Sequence, residues 1–142
     1  MSTSLFNRQL QFASDPNNAR LVEDCIIDMA ESCGLDDDTT NSLMIAVTEA
    51  TNNAIHHGNK DNPAKQVWVE MDLKADRLTV SVRDEGAGFD PAAIPDPLSE
   101  ENLLKTSGRG VFLMKNIMKS VDFKFEPRGT TVIMTFQVGF IS

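Results

Sequence analysis

The sequence predicts a two-layer α/β (α+β) sandwich, a mostly antiparallel sheet with helices on one face. Three observations carry this: two successive apolar runs at helical spacing in the first half, a change to period two at Gln66, and strand-like alternation again at the C-terminus after one more helical run. The implied order is strand, two helices, two strands, helix, two strands.

Leu5 to Phe12 alternates loosely and reads as a short edge strand. Asp15-Pro16 then supplies a helix start, with the carboxylate as N-cap and the proline in the first turn, where its missing N–H costs nothing. Ala19, Val22, Ile26, Met29, Ala30 and Cys33 follow at helical spacing until Gly34 ends the run. Asp36-Asp37-Asp38 with Thr39 cap and charge a second helix, which runs to about His57 and stops at Gly58-Asn59. After a loop to Pro63, Val67, Val69, Met71 and Leu73 share one face. A turn at Ala75-Asp76 returns the chain with Leu78, Val80 and Val82 on one face, a hairpin by pattern. Pro91, Pro95 and Pro97 mark Phe89 to Ser107 as a long connection. A helix is predicted from Val111 to Val121 through Met114, Ile117 and Met118. The strands Asp122 to Glu126 and Thr130 to Val138 then flank a turn at Pro127-Arg128-Gly129.

At 142 residues the chain is expected to form one domain, 1–142. Its formal charge of −8, from 13 Lys+Arg against 21 Asp+Glu, argues against sequence-independent binding to nucleic acid or to an anionic membrane. A protein partner with a basic face is easier to accommodate. Apolar stretches are short and Met1-Ser2-Thr3-Ser4 lacks the pattern of a signal peptide, so a cytoplasmic protein is expected. Cys25 and Cys33 fall in one helix about 12 Å apart, beyond the reach of a disulfide, and with His56 and His57 far away in sequence they read as small hydrophobes.

Three separated segments carry chemistry. Glu49 and Asn53, one helical turn apart, project from the same helix face and offer hard oxygen donors of the kind magnesium accepts; an exposed polar pair is the bland reading. Asp84 has the strand parity of Val80 and Val82, so it aims at the core, where a carboxylate is costly unless something donates to it. An adenine amino group would do so, with Gly86 and Gly88 letting the backbone approach, although a strand-terminal turn also explains Asp-x-Gly-x-Gly. Gly108 and Gly110 open an apolar helix whose free N–H groups form an anion site that Arg109 reinforces, or else form a hinge. No GxxxxGK[ST] occurs, and a dinucleotide fingerprint fails at Leu113. In this order the three segments point to ATP held by magnesium and backbone amides.

The segments Glu49-Ala50-Thr51-Asn52-Asn53, Asp84-Glu85-Gly86-Ala87-Gly88 and Gly108-Arg109-Gly110-Val111-Phe112-Leu113-Met114 resemble the N, G1 and G2 boxes of the GHKL (histidine-kinase-like) ATPase superfamily. From about Phe12 to Phe136 the chain is similar to its bacterial anti-sigma-factor serine kinases, Gly58-Asn59-Lys60 and Glu101-Asn102-Leu103-Leu104 included. The resemblance implies a Bergerat-type ATP-binding fold. It makes Asn53 a magnesium ligand, Glu49 the general base, Asp84 the acceptor from the adenine amino group, and Thr130 a hydroxyl and water contact to adenine. Gly86, Gly88, Gly108 and Gly110 would shape the pocket, Asp90 to Ser107 would be a lid, and Lys105 and Arg109 would contact phosphate. It further implies a serine/threonine kinase acting on an anti-anti-sigma (STAS-domain) partner, sequestration of a sigma factor, and a homodimer. The alternative is a nucleotide-switched module that sequesters a regulator without phosphoryl transfer. Both histidines lie at the end of the N-box helix, so the phosphoacceptor helix of a two-component histidine kinase is missing from this pattern.

Overall fold

Alternation from Gln66 onward becomes the middle of a five-stranded sheet in the computed structural model, which describes residues 3–86 and 117–142. The strands are β1 (Phe6–Ala13), β2 (Gln66–Lys74), β3 (Arg77–Asp84), β4 (Met118–Glu126) and β5 (Gly129–Gln137). They lie in the order β1-β2-β3-β5-β4, with each neighbouring pair antiparallel. The β2–β3 hairpin closes at Ala75-Asp76, with Lys74 opposite Arg77, and the β4–β5 hairpin closes at Pro127-Arg128, with Glu126 opposite Gly129. Val67, Val69, Met71, Leu73, Leu78, Val80 and Val82 are all buried, so the alternation read in the sequence is the inward face of the sheet.

Helix α1 (Ala19–Cys33) buries Val22, Cys25, Ile26 and Met29. At about 1.5–3 kcal/mol for each fully buried aliphatic side chain, this stripe far outweighs helix propensity in fixing the element. Asp15 and Pro16 start a short 3₁₀ turn (Pro16–Asn18) ahead of α1, with the Asp15 carboxylate accepting from the Asn17 N–H. Gly34, at φ 71° in the left-handed region, ends α1 by donating to the Ala30 carbonyl. Helix α2 (Asp37–Asn53) begins at Asp36, whose side chain accepts from the Thr39 N–H at 2.8 Å, a cap worth about 1 kcal/mol. Both helices contribute to one core with the inward faces of the strands.

Two boundaries differ from the sequence reading. α2 gives way after Asn53 to a π turn (Ala54–Gly58), wider than an α-helix, in which the Asn59 N–H reaches back to the Ala54 carbonyl. Met118 and Val121, expected at the end of a helix, belong to β4, opposite Phe136 and Met134. The cause is a register shift between Met118 and Ser120. The extra residue puts two inward side chains three positions apart, a spacing that imitates a helix. The earlier part of that expected helix lies outside the described residues.

Beyond β5 the chain turns back on the corner between the helices. The Asp36 N–H donates to the Gly139 carbonyl at 3.0 Å, the Gly139 N–H to the Thr39 hydroxyl at 2.9 Å, and the Ile141 N–H to the Gly34 carbonyl at 2.7 Å. Cys25 and Cys33 are free thiols. Among the described residues no helix is long and apolar enough to cross a membrane.

Candidate functional site

The last residue of β3, Asp84, is where the helix end, the sheet and the β4–β5 hairpin converge. Its side chain points inward, as strand parity requires, and is only 2% exposed. Oδ1 accepts from the Gly86 N–H at 2.9 Å and from the Thr130 N–H at 3.3 Å. β3 and β5 pair through Arg83 and Thr131, and this register brings Thr130 to the carboxylate across 46 residues of sequence.

Backbone crowds the same carboxylate. A Cβ added to Gly58 would overlap the Asp84 side chain, one on Gly129 the Asp84 carbonyl, and one on Gly86 the Gly58 carbonyl. Sequence reasoning took Gly58 only as a helix stop and Gly129 as a turn. Their second role depends on contacts between distant segments, for which a single sequence carries no signal. Gly58→Ala is expected to destabilise the protein by about 1–3 kcal/mol, the usual cost of overpacking, and to weaken nucleotide binding as well. Urea melts and a nucleotide titration would check both effects.

Burial pushes the Asp84 carboxyl above its ordinary range; the Gly86 and Thr130 N–H groups oppose this, as do Lys65 and Arg83 more weakly. A carboxyl whose folded pKa is raised holds its proton more tightly in the fold. It therefore favours the folded state at pH below that raised value, and this contribution is lost as pH rises through it. In urea melts across the acidic range, Asp84→Asn should remove that part of the slope, while an unchanged slope would contradict the assignment.

The π turn brings the end of α2 to this carboxylate. Asn53, 8% exposed, is the last residue of α2, and half-buried Glu49 lies one turn earlier on the same helix. The Thr51 hydroxyl donates to the Val47 carbonyl at 2.8 Å, a back-bond that often accompanies helix distortion, and the helix widens three residues later. Lys60 and Asp61, both at positive φ, complete the reversal, with His56 Nδ1 hydrogen-bonded to the Asp61 carboxylate. Next to Gly58, Asn59 is 1% exposed. Its side chain donates to the Gln66 carbonyl at 2.9 Å and accepts from the Glu85 N–H at 2.8 Å. The Glu85 carboxylate accepts from the Gln66 N–H at 2.5 Å. Sequence reasoning placed Asn59 in a turn and gave it no bond.

Thr130 provides a direct test of whether an adenine would fit. Its hydroxyl is buried and, among the described residues, has no hydrogen-bond partner, although its own N–H bonds to Asp84. An unpaired buried hydroxyl beside a buried carboxylate leaves one group able to donate and one able to accept. The amino and ring-nitrogen edge of adenine needs this pair. The described residues thus bring together Asp84, Gly86 and Thr130, with Glu49 and Asn53 on the helix that leads to them. Gly88, Lys105, Gly108, Arg109, Gly110 and the expected lid at 90–107 lie outside the described residues.

Residues 12–136 match the family described as the histidine kinase-like ATPase domain, a span that begins in β1 and ends in β5. The chain belongs to that family. Among relatives of this ATPase domain, the anti-sigma F factor of Oceanobacillus iheyensis is 31% identical over 132 residues, covering 91% of this chain and 90% of that protein. The serine-protein kinase RsbW of Bacillus velezensis is 31% identical over 147 residues, covering 95% and 88%; that of Bacillus subtilis is 30% identical over 139 residues, covering 89% and 82%. The crystal structure of the RsbU and RsbW domains of a Mycobacterium tuberculosis protein superposes with a TM-score of 0.68 at 16% identity. It covers 96% of this chain, which spans 33% of that one, and at this identity the likeness is one of fold.

Proposed function

We propose that the chain is an ATP-dependent serine/threonine protein kinase and anti-sigma factor that phosphorylates an anti-anti-sigma partner of the STAS-domain type and, when unengaged, sequesters a sigma factor. The observation that carries this reading is end-to-end similarity to proteins named as anti-sigma F factor and serine-protein kinase. The buried Asp84–Thr130 pair supports it independently from the chemistry of the chain.

ATP supplies the phosphoryl group, and the residues of the chain divide the remaining work. Asp84 and Thr130 receive the adenine edge. Asn53 would hold magnesium through its side-chain oxygen, in keeping with a cation that takes few protein ligands and the rest from phosphate and water. Glu49 takes the proton from the partner's serine or threonine hydroxyl as that oxygen attacks the γ-phosphorus and the bond to the departing ADP oxygen breaks. Lys105, Arg109 and the amides at Gly108 and Gly110 are assigned to the phosphates, Gly86 and Gly88 to the shape of the pocket, and 90–107 to a lid, all by resemblance to the family. Catalysis of this kind is mostly positioning and charge stabilisation. A homodimer, acting in the cytoplasm, completes the proposal.

Glu49 favours transfer over a pure nucleotide switch, because holding nucleotide needs Asn53 and Asp84 and no base. Incubation with γ-labelled Mg-ATP and a cognate STAS-domain protein should place label on a serine or threonine of that protein. Wild-type protein that binds ATP yet labels no such partner would leave only the sequestering module.

A further inference from the structure

We propose that Asn59 is a positioning residue for adenine recognition, acting through the Asp84–Glu85 peptide; this rests on the reading of Asp84 as the adenine acceptor. Asn59 is buried, and its amide spans two strand ends, donating to the Gln66 carbonyl of β2 and accepting from the Glu85 N–H just beyond β3. The Glu85 N–H belongs to the peptide unit that leaves Asp84, so the bond at 2.8 Å fixes the main chain from which the carboxylate hangs. On its other side Asn59 is bonded in sequence to Gly58, whose backbone packs against that carboxylate. One amide thus holds two of the surfaces between which Asp84 sits. The Glu85 side chain reinforces the same joint by accepting from the Gln66 N–H.

The chemistry of Asn suits this task because one planar group supplies a donor and an acceptor pointing in opposite directions. Removing it leaves a carbonyl and an N–H without their partner at a site where Asp84 has little freedom. A displacement of about 1 Å at a positioned group is enough to cost on the order of 100-fold in what that group does. The loss should fall on the contact that Asp84 makes and spare contacts made to the rest of the nucleotide.

The experiment compares Mg-ATP with the magnesium complex of purine riboside triphosphate, which lacks the 6-amino group, as ligands of the full chain. Wild type should prefer ATP by about 10- to 100-fold, the range for one hydrogen bond to a charged acceptor. Asn59→Ala should reduce that preference to within about threefold, mainly by weakening ATP and not the analogue. Asn59→Asp, nearly isosteric and still able to accept from the Glu85 N–H, reads the same ratio if the alanine variant does not fold; it should lower the preference part of the way. Equal losses for both nucleotides, with the preference intact, would show a merely structural role and overturn the proposal. Absence of any preference in wild type would instead remove the adenine reading on which it rests.

Discussion

Glu49→Gln is expected to bind Mg-ATP with close to the wild-type constant and to lose phosphoryl transfer by about 10²- to 10⁴-fold, the usual contribution of a positioned general base. Glutamine keeps the length and shape of the half-buried side chain on α2 and removes the ability to take a proton. Binding and chemistry therefore separate cleanly, provided they are measured on the same preparation. The check is a nucleotide titration alongside single-turnover labelling of the partner. Retained transfer at the wild-type rate would show that the base is another group or that none is needed.

Asp84→Asn should have the opposite signature. Asn retains an oxygen that can accept from the Gly86 and Thr130 N–H groups, so the fold is kept. Its amino group can no longer accept from adenine, and an affinity loss of about 100-fold is expected from one charge-assisted bond. At a ligand concentration of about 100 times its dissociation constant, wild type should gain roughly 2.7 kcal/mol of stability, seen as a thermal shift, while the variant at the same concentration should gain well under half of that. The unliganded variant should be at least as stable as wild type at neutral pH, because it no longer buries a carboxylate whose protonation the fold favours. A full shift with Mg-ATP in the variant would remove Asp84 from the binding site.

How much of this was legible follows from the range of each interaction. Period-two alternation at Val67 to Leu73 and at Leu78 to Val82 is local, and it gave the hairpin and its inward face. The same parity aimed Asp84 inward before any contact was known. Caps at Asp36 and Gly34 are local too, and they mark the end of α1 and the start of α2 where the structure has them. β4 failed because its register shift turned a strand's spacing into a helix's. The π turn is local, but residue spacing does not distinguish it from a helix that runs on to Gly58. The Asn59 bridge to Glu85 and the packing of Gly58 and Gly129 on Asp84 escaped for a different reason: each joins segments distant in the chain, and neither composition nor spacing records such a meeting. Among the described residues, the candidate site residues thus had local signatures, whereas the groups packed around them did not.

The widened turn at Ala54–Gly58 amounts to one residue more than an α-helix would use to cover the same rise. Each α-helical residue advances the chain by about 100° around the axis, so excising one position there would let the helix continue with better hydrogen-bond geometry. The same residues wound as an unbroken α-helix, with none removed, would instead rotate Gly58 and Asn59 away from Asp84 by about that angle. The extra residue thus sets the phase in which the chain leaving α2 meets the carboxylate.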